Sequence, residues 1–208
     1  MIGKKLFQKK IFFVHIPKTA GTSISSAILA TNKYNLSFLP TEHASAIQII
    51  DYIGKNYKKY YSFSFVRNPY DRLNSLYHFL CQKNLFPEKG ENWDQDNLIK
   101  MGFKAWLLET NFWPPYTKGT GPSFQKRSQC FFLCDENNHI LVNDVFKYEN
   151  LKNDLNILSK KIDINFDELP QTKVTVRDNY KYEYCDETID FVKQFHGEDL
   201  DRFGYKFD

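Results

Sequence analysis

The stretch from Ile11 to Ser26, IFFVHIPKTAGTSISS, constrains the fold of this chain more than any other. Its first four residues, Ile11, Phe12, Phe13 and Val14, make an apolar run of buried-strand length. A Pro, a Lys and a Gly follow before a small-residue segment able to start a helix. The pattern reads strand, loop, helix. Such a junction presents unpaired backbone N–H groups at the positive end of the helix, and Lys18 adds a mobile cation beside them. On this segment alone two readings stand side by side: a pocket for a phosphate-like anion, and an ordinary turn with a solvated Lys18. Residue order argues against one kind of anion loop. A Walker loop needs G-x-x-x-x-G-K-[ST], whereas here Lys18 precedes Gly21, which disfavours an ordinary ATP loop.

At 208 residues the chain is long enough to bury a real core, and a single domain spanning residues 1–208 is the expectation. A hydrophobic content of 42%, with 17% aromatics, places it among globular rather than disordered chains. A net charge of +3 is too small to imply nucleic-acid binding, though it helps attract a small anionic ligand. Cys81, Cys130, Cys134 and Cys185 are scattered, with no Cys-x-x-Cys pair and no matching His spacing. This reads as buried free thiols in a reducing compartment, with no metal site. The apolar stretch near the N-terminus is too short and too quickly polar for a signal peptide or a membrane span. A soluble, cytoplasmic protein is expected.

Further along, Thr22 to Ala30 reads as a helix, and Ser37 to Leu39 as a short strand. An amphipathic helix with Ile47, Ile50 and Ile53 on one face, closed by Gly54, places His43 at a helix start. Tyr60 to Val66 alternates as a strand and runs into Arg67, after which Asn68 can cap a helix, Pro69 fits its first position and Asp71 its first turn. Leu73, Leu76, Tyr77 and Leu80 continue that helix as an apolar stripe. Two strand-to-helix junctions, each with a cation, imply a parallel sheet whose strand ends converge on one anionic ligand. Asp96 to Thr110 reads as a helix, and the Pro- and Gly-rich stretch from Asn111 to Ser123 as a loop with Trp113 and Tyr116. Gln129 to Leu133 and Ile140 to Tyr148 read as a hairpin, followed by helices over Leu151 to Lys161 and Asp186 to His196.

Taken together, HIPKTAGTS (His15 to Ser23) and FVRNPYDRLNSLY (Phe65 to Tyr77) resemble the paired nucleotide-binding motifs of sulfotransferases that use 3'-phosphoadenosine 5'-phosphosulfate (PAPS). The likeness is closest to the carbohydrate branch that includes heparan sulfate 2-O-sulfotransferase and its bacterial relatives. It extends to EHASA (Glu42 to Ala46), KYENL (Lys147 to Leu151), LPQTKVTVRDNY (Leu169 to Tyr180) and DLDRFGY (Asp199 to Tyr205), and so spans nearly the whole chain. The resemblance implies a three-layer, P-loop-like α/β domain with a central parallel sheet flanked by helices. By it, Pro17, Lys18, Thr19, Ala20, Gly21, Thr22 and Ser23 cradle the 5'-phosphosulfate, Arg67 and Ser75 grip the 3'-phosphate, and Thr175 and Arg177 are further PAPS contacts. A guanidinium at a strand end and a hydroxyl two turns into the next helix can independently converge on one phosphate. For Arg72 an i, i+4 or tertiary ion pair is expected.

Transfer of a sulfuryl group by in-line displacement needs a cation beside the departing phosphate and a base for the incoming hydroxyl. Lys18 fits the first task. For the second, His43 matches the position of the catalytic histidine in the resembled group, with Glu42 as the alternative base. His15 reads as a buried structural residue, and His78, His139 and His196 have no assigned role. Gln171 and Lys173 depart from the His and Asn often found in related bacterial sequences, which leaves the acceptor pocket open. The acceptor implied is a hydroxyl-bearing glycan or glycolipid. Two alternatives remain: a P-loop-type kinase using ATP and magnesium, which lacks the G-K-[ST] order, and a catalytically inactive nucleotide-binding protein.

Overall fold

The computed structural model of the protein describes residues 10–31, 33, 43–82, 95–110, 123–166, 169 and 177–208. In chain order these form β1 (Lys10–Val14), α1 (Gly21–Ala30), α2 (Ala46–Ile53), β2 (Tyr60–Val66), α3 (Pro69–Leu80), α4 (Gln95–Glu109), α5 (Gln129–Leu133), β3 (Asp144–Lys147), α6 (Leu151–Ile162) and α7 (Asp186–Phe203), with short 3-10 turns between. Two compact units result: Met1–Val66 with Cys130–Thr172, and Arg67–Gln129 with Lys173–Asp208.

The first unit is built on a parallel sheet in the order β1-β2-β3, flanked by helices as an α/β fold requires. Strand alternation sends Ile11, Phe13, Phe63, Phe65 and Phe146 to one face, where Ile24 and Ile28 of α1 and Leu155, Leu158 and Ile162 of α6 pack on them. Each such side chain contributes roughly 1.5–3 kcal/mol by leaving water. The register pairs Phe13 with Phe63 and Phe65 with Phe146, so the rings meet across strands, the first pair stacked at 4.9 Å and the second tilted at 5.2 Å between centroids. On the opposite face Ser64 is buried, and its hydroxyl donates to the Val14 carbonyl at 2.7 Å. The entry to β3 is clamped to β2 by Asn143, whose Oδ1 accepts from both the backbone N and the Oγ of Ser62 at 2.8 Å.

The hairpin expected over Gln129 to Tyr148 does not form. Gln129–Leu133 is the short helix α5, a single antiparallel bridge joins Cys134 to Ile140, and β3 pairs in parallel with β2. A five-residue apolar run has no decisive period, and β3 is taken up by the distant strand whose Phe63 and Phe65 need a neighbour. The segment between them does turn: Asp135 accepts from the backbone of Asn137 and His139, and Asn138 takes a φ of 66°. Helix α2 begins later than the sequence implied. Ser45 is its N-cap, in a reciprocal capping box with Gln48, so His43 sits two residues before the cap. Its buried residues are Ala46 and Ile49, whereas Ile47 is 41% exposed.

In the second unit, α3 starts as its sequence dictates: the Asn68 side chain accepts from the Tyr70 backbone at 3.0 Å, Pro69 occupies the first position and Asp71 the first turn. Leu73, Leu76, Tyr77 and Leu80 are buried. Tyr77 packs against Phe103 and Trp106 of α4, which bends at Gly102 with a φ of 79°. Helix α7 does not stop near His196 but runs through Gly197 to Phe203 and closes on Gly204, φ 66°. One interior glycine costs about 1 kcal/mol, less than the buried Phe203 returns. Its N-cap is Cys185, whose sulfur accepts from the first turn. All four cysteines are free; Cys130 and Cys134 are buried as expected, but Cys185 is exposed. Among the described residues, no helix is long and apolar enough to cross a membrane.

Candidate functional site

In the first unit the predicted anion loop follows β1 at the carboxyl end of the sheet. Thr19 is buried, and its hydroxyl donates to the Ile16 carbonyl at 2.8 Å, folding the loop back on the strand end. Lys18 and Ala20 both hold left-handed backbone, φ 68° and 66°, although neither is a glycine. Left-handed L-residues cost on the order of 1 kcal/mol each and persist only where the surroundings impose them. Alternating left-handed residues turn successive N–H groups into one concavity suited to an anion. Ala20 is also the N-cap of α1 and offers no side-chain oxygen to the first turn. Thr22 is half-buried and Ser23 buried in that turn.

The loop lies against two histidines. His15, 4% exposed, stacks on Phe13 with centroids 5.7 Å apart, and its ring rests on the α-carbon of Gly21. The His43 ring meets that of His15 edge-on at 4.6 Å, and His43 Nδ1 lies 2.9 Å from the His15 carbonyl oxygen. A carbonyl only accepts, so Nδ1 carries the proton and the lone pair of the neutral ring sits on Nε2. The structure thus brings His43 and the loop from Pro17 to Ser23 into one corner of the sheet through His15 and Gly21. Glu42 and Thr175 lie outside the described residues, as do the expected strand at Ser37 to Leu39, Trp113, Tyr116, Gln171 and Lys173.

Arg67, Ser75 and Arg177 belong to the second unit. Arg67 follows β2 directly and is buried, with its backbone N–H donating to the Gln129 side chain at 2.8 Å. Its Nε and Nη2 both reach Asp71 Oδ2 at 2.7 Å. Arg177 donates to the other oxygen, Asp71 Oδ1, and through Nη1 to Asn74 Oδ1 at 2.6 Å. Asn74 in turn donates to Glu183 at 3.0 Å, and His78 Nε2 is 2.5 Å from the same carboxylate oxygen. Ser75 is buried on α3. The Arg67–Asp71 pair was readable as an i, i+4 spacing. Asn74 and Glu183 were missed, since only the fold brings residue 183 to α3.

Arg72 does not form the ion pair expected of it. Fully buried, it donates through Nη2 to the Arg127 carbonyl at 2.8 Å, and no carboxylate among the described residues is in ion-pair contact with it. Burial lowers its guanidinium to about 10, with the Asp199 charge working in the other direction. Nearby in the same unit, His196 Nε2 is 2.6 Å from the Gln125 carbonyl and Asp199 accepts from the Gln129 backbone at 2.6 Å.

A family model described as "Sulfotransferase family" matches residues 7–206. Searches among curated proteins and solved structures gave no match.

Proposed function

The chain belongs to the sulfotransferase family, and from that premise we propose that it moves the sulfuryl group of PAPS onto a hydroxyl of a carbohydrate acceptor by in-line displacement. The observation that carries this reading is a family match over residues 7–206, nearly the whole of 208. The residues of the loop fit an anionic group: two left-handed positions gather N–H groups at the start of α1, beside a lysine and the hydroxyls of Thr22 and Ser23.

PAPS supplies a sulfuryl group already joined to a good phosphate leaving group. In this reading Pro17 to Ser23 hold its 5' end, Arg67 and Ser75 recognise the 3'-phosphate, and Thr175 and Arg177 are further contacts to PAPS. The Lys18 ammonium neutralises charge that accumulates on the bridging oxygen as the bond breaks. His43 accepts the acceptor's proton at Nε2, a role supported by the Nδ1 contact to the His15 carbonyl, which fixes both tautomer and ring direction. No step in this scheme calls on a metal. A heparan sulfate 2-O-type acceptor preference, a bacterial source and a cytoplasmic setting belong to the same proposal.

Calorimetry with adenosine 3',5'-bisphosphate tests the nucleotide site first. Sulfur-35 transfer from labelled PAPS to a panel of glycans and small alcohols then tests turnover. His43→Ala should retain nucleotide binding and lose turnover by roughly a hundred- to ten-thousand-fold, whereas Lys18→Ala should weaken nucleotide binding as well as lose turnover. If Glu42→Ala abolishes turnover and His43→Ala does not, the base is Glu42. Magnesium-dependent phosphoryl transfer from ATP would replace the reading with a kinase, and tight nucleotide binding without any sulfated product would leave a non-catalytic binder.

A further inference from the structure

We infer that Asp71 is a positioning residue, the carboxylate shared by Arg67 and Arg177 that sets their two guanidinium groups as one receptor for the nucleotide's 3'-phosphate. The inference rests on the proposed function and adds to it a residue that neither the motif nor the family match assigns. Its basis is the division of labour between the two carboxylate oxygens. Oδ2 takes the Nε and Nη2 edge of Arg67 at 2.7 Å, and Oδ1 takes Nη2 of Arg177. Both arginines are nearly out of water, with side-chain exposures of 8% and 11%, and Asp71 has 18%. Two guanidinium groups thus share one carboxylate in surroundings of low solvent access, where a phosphate dianion is a complementary ligand.

The geometry also fixes direction. A guanidinium has five N–H donors in a rigid plane, so the contact of the Arg67 Nε–Nη2 edge with Asp71 sets the orientation of the whole group. Arg177 is held at a second point by Asn74 Oδ1, 2.6 Å from its Nη1, and Asn74 is anchored in turn on Glu183. Asp71 and Asn74 lie three residues apart on one face of α3, so a single helix surface aims both arginines. Ser75 is the next residue on that helix.

Asparagine at position 71 would keep the shape but offer one acceptor oxygen, turning an NH2 donor toward one of the two arginines. The readout is the ratio of dissociation constants for adenosine 5'-monophosphate and adenosine 3',5'-bisphosphate, measured by calorimetry. A general loss of folding weakens both ligands equally and leaves the ratio unchanged. Asp71→Asn should lower the ratio by about ten- to a hundredfold, the worth of one charge-assisted contact. Asp71→Glu keeps charge and both oxygens but displaces them by one methylene, so positioning lowers the ratio here too. A wild-type ratio in either variant, or a tighter 3'-phosphate in Asp71→Asn, overturns the inference while the proposed function stands. A ratio near one in the wild-type protein removes the 3'-phosphate site itself, and the inference with it.

Discussion

Gly21→Ala is the sharpest probe of the loop corner. Gly21 opens α1, and a β-carbon there would fall inside the His15 ring, 2.7 Å from Cγ and nearer still to Cδ2 and Nε2. The ring is 4% exposed and is held by the stack on Phe13 and the edge contact with His43, so it cannot swing into solvent. Overpacking of this sort costs about 1–3 kcal/mol, and the better helix propensity of alanine offsets at most about 1 kcal/mol. The expected net loss is about 1–2 kcal/mol, or a fall in Tm of roughly 2–8 °C for a chain of this size. The assay is a double-mutant cycle with His15→Ala, read by urea or thermal unfolding. With the ring gone, Gly21→Ala should be neutral or slightly stabilising, giving a coupling of about 1–3 kcal/mol. A coupling under about 0.5 kcal/mol would refute the argument that His15 is why this position must be glycine.

Four further outcomes rest on the same contacts. Burial lowers the pKa of His196 despite the Asp199 contact, so the unfolded chain binds more protons below its own value of about 6.5, and stability should decline as the pH falls through that region. Burial opposes the Asp199 carboxylate, but its partners hold it below the usual range, so a second loss should appear under about pH 4; urea midpoints from pH 8 to 3 check both, and a His196→Gln variant should lack the first decline. Asn143→Ala should cost about 1–3 kcal/mol, because it strands the Ser62 backbone N–H at the entry to β3, whereas a change within 0.5 kcal/mol in chemical denaturation would show that water substitutes freely. Arg67→Ala should weaken binding of the 3'-phosphorylated nucleotide far more than of its 3'-hydroxyl analogue, and equal losses in calorimetry would remove Arg67 from phosphate recognition.

The parts of the fold that could be read in advance are those written in local chemistry. The run from Ile11 to Val14, the strand over Tyr60–Val66 and the Asn68, Pro69, Asp71 start of α3 are each specified by neighbours within a turn. The loop's likeness to an anion cradle was visible as residue order, but its left-handed Lys18 and Ala20 were not, because neither residue favours that conformation by itself. Misreadings fell where partners are remote. Gln129 to Leu133 has a strand's composition and a helix's surroundings. His196 stands mid-helix because α7 continues past Gly197 to a buried Phe203, a decision made by packing. Asn74 and Glu183 meet across 109 residues, a distance over which no sequence period operates.

The sulfur at the start of α7 has a practical corollary. Hydrogen bonding by the Thr188 backbone favours the anionic form of the exposed Cys185, whereas burial pushes the Cys81 thiol up and Cys130 and Cys134 are shielded. A maleimide dye added at limiting ratio should therefore label position 185 first, giving fluorescence experiments an attachment point without engineering. The same attachment turns the thiol into a bulky thioether that cannot ionise and accepts only weakly from the first turn of α7, so labelled protein should melt earlier than unlabelled protein.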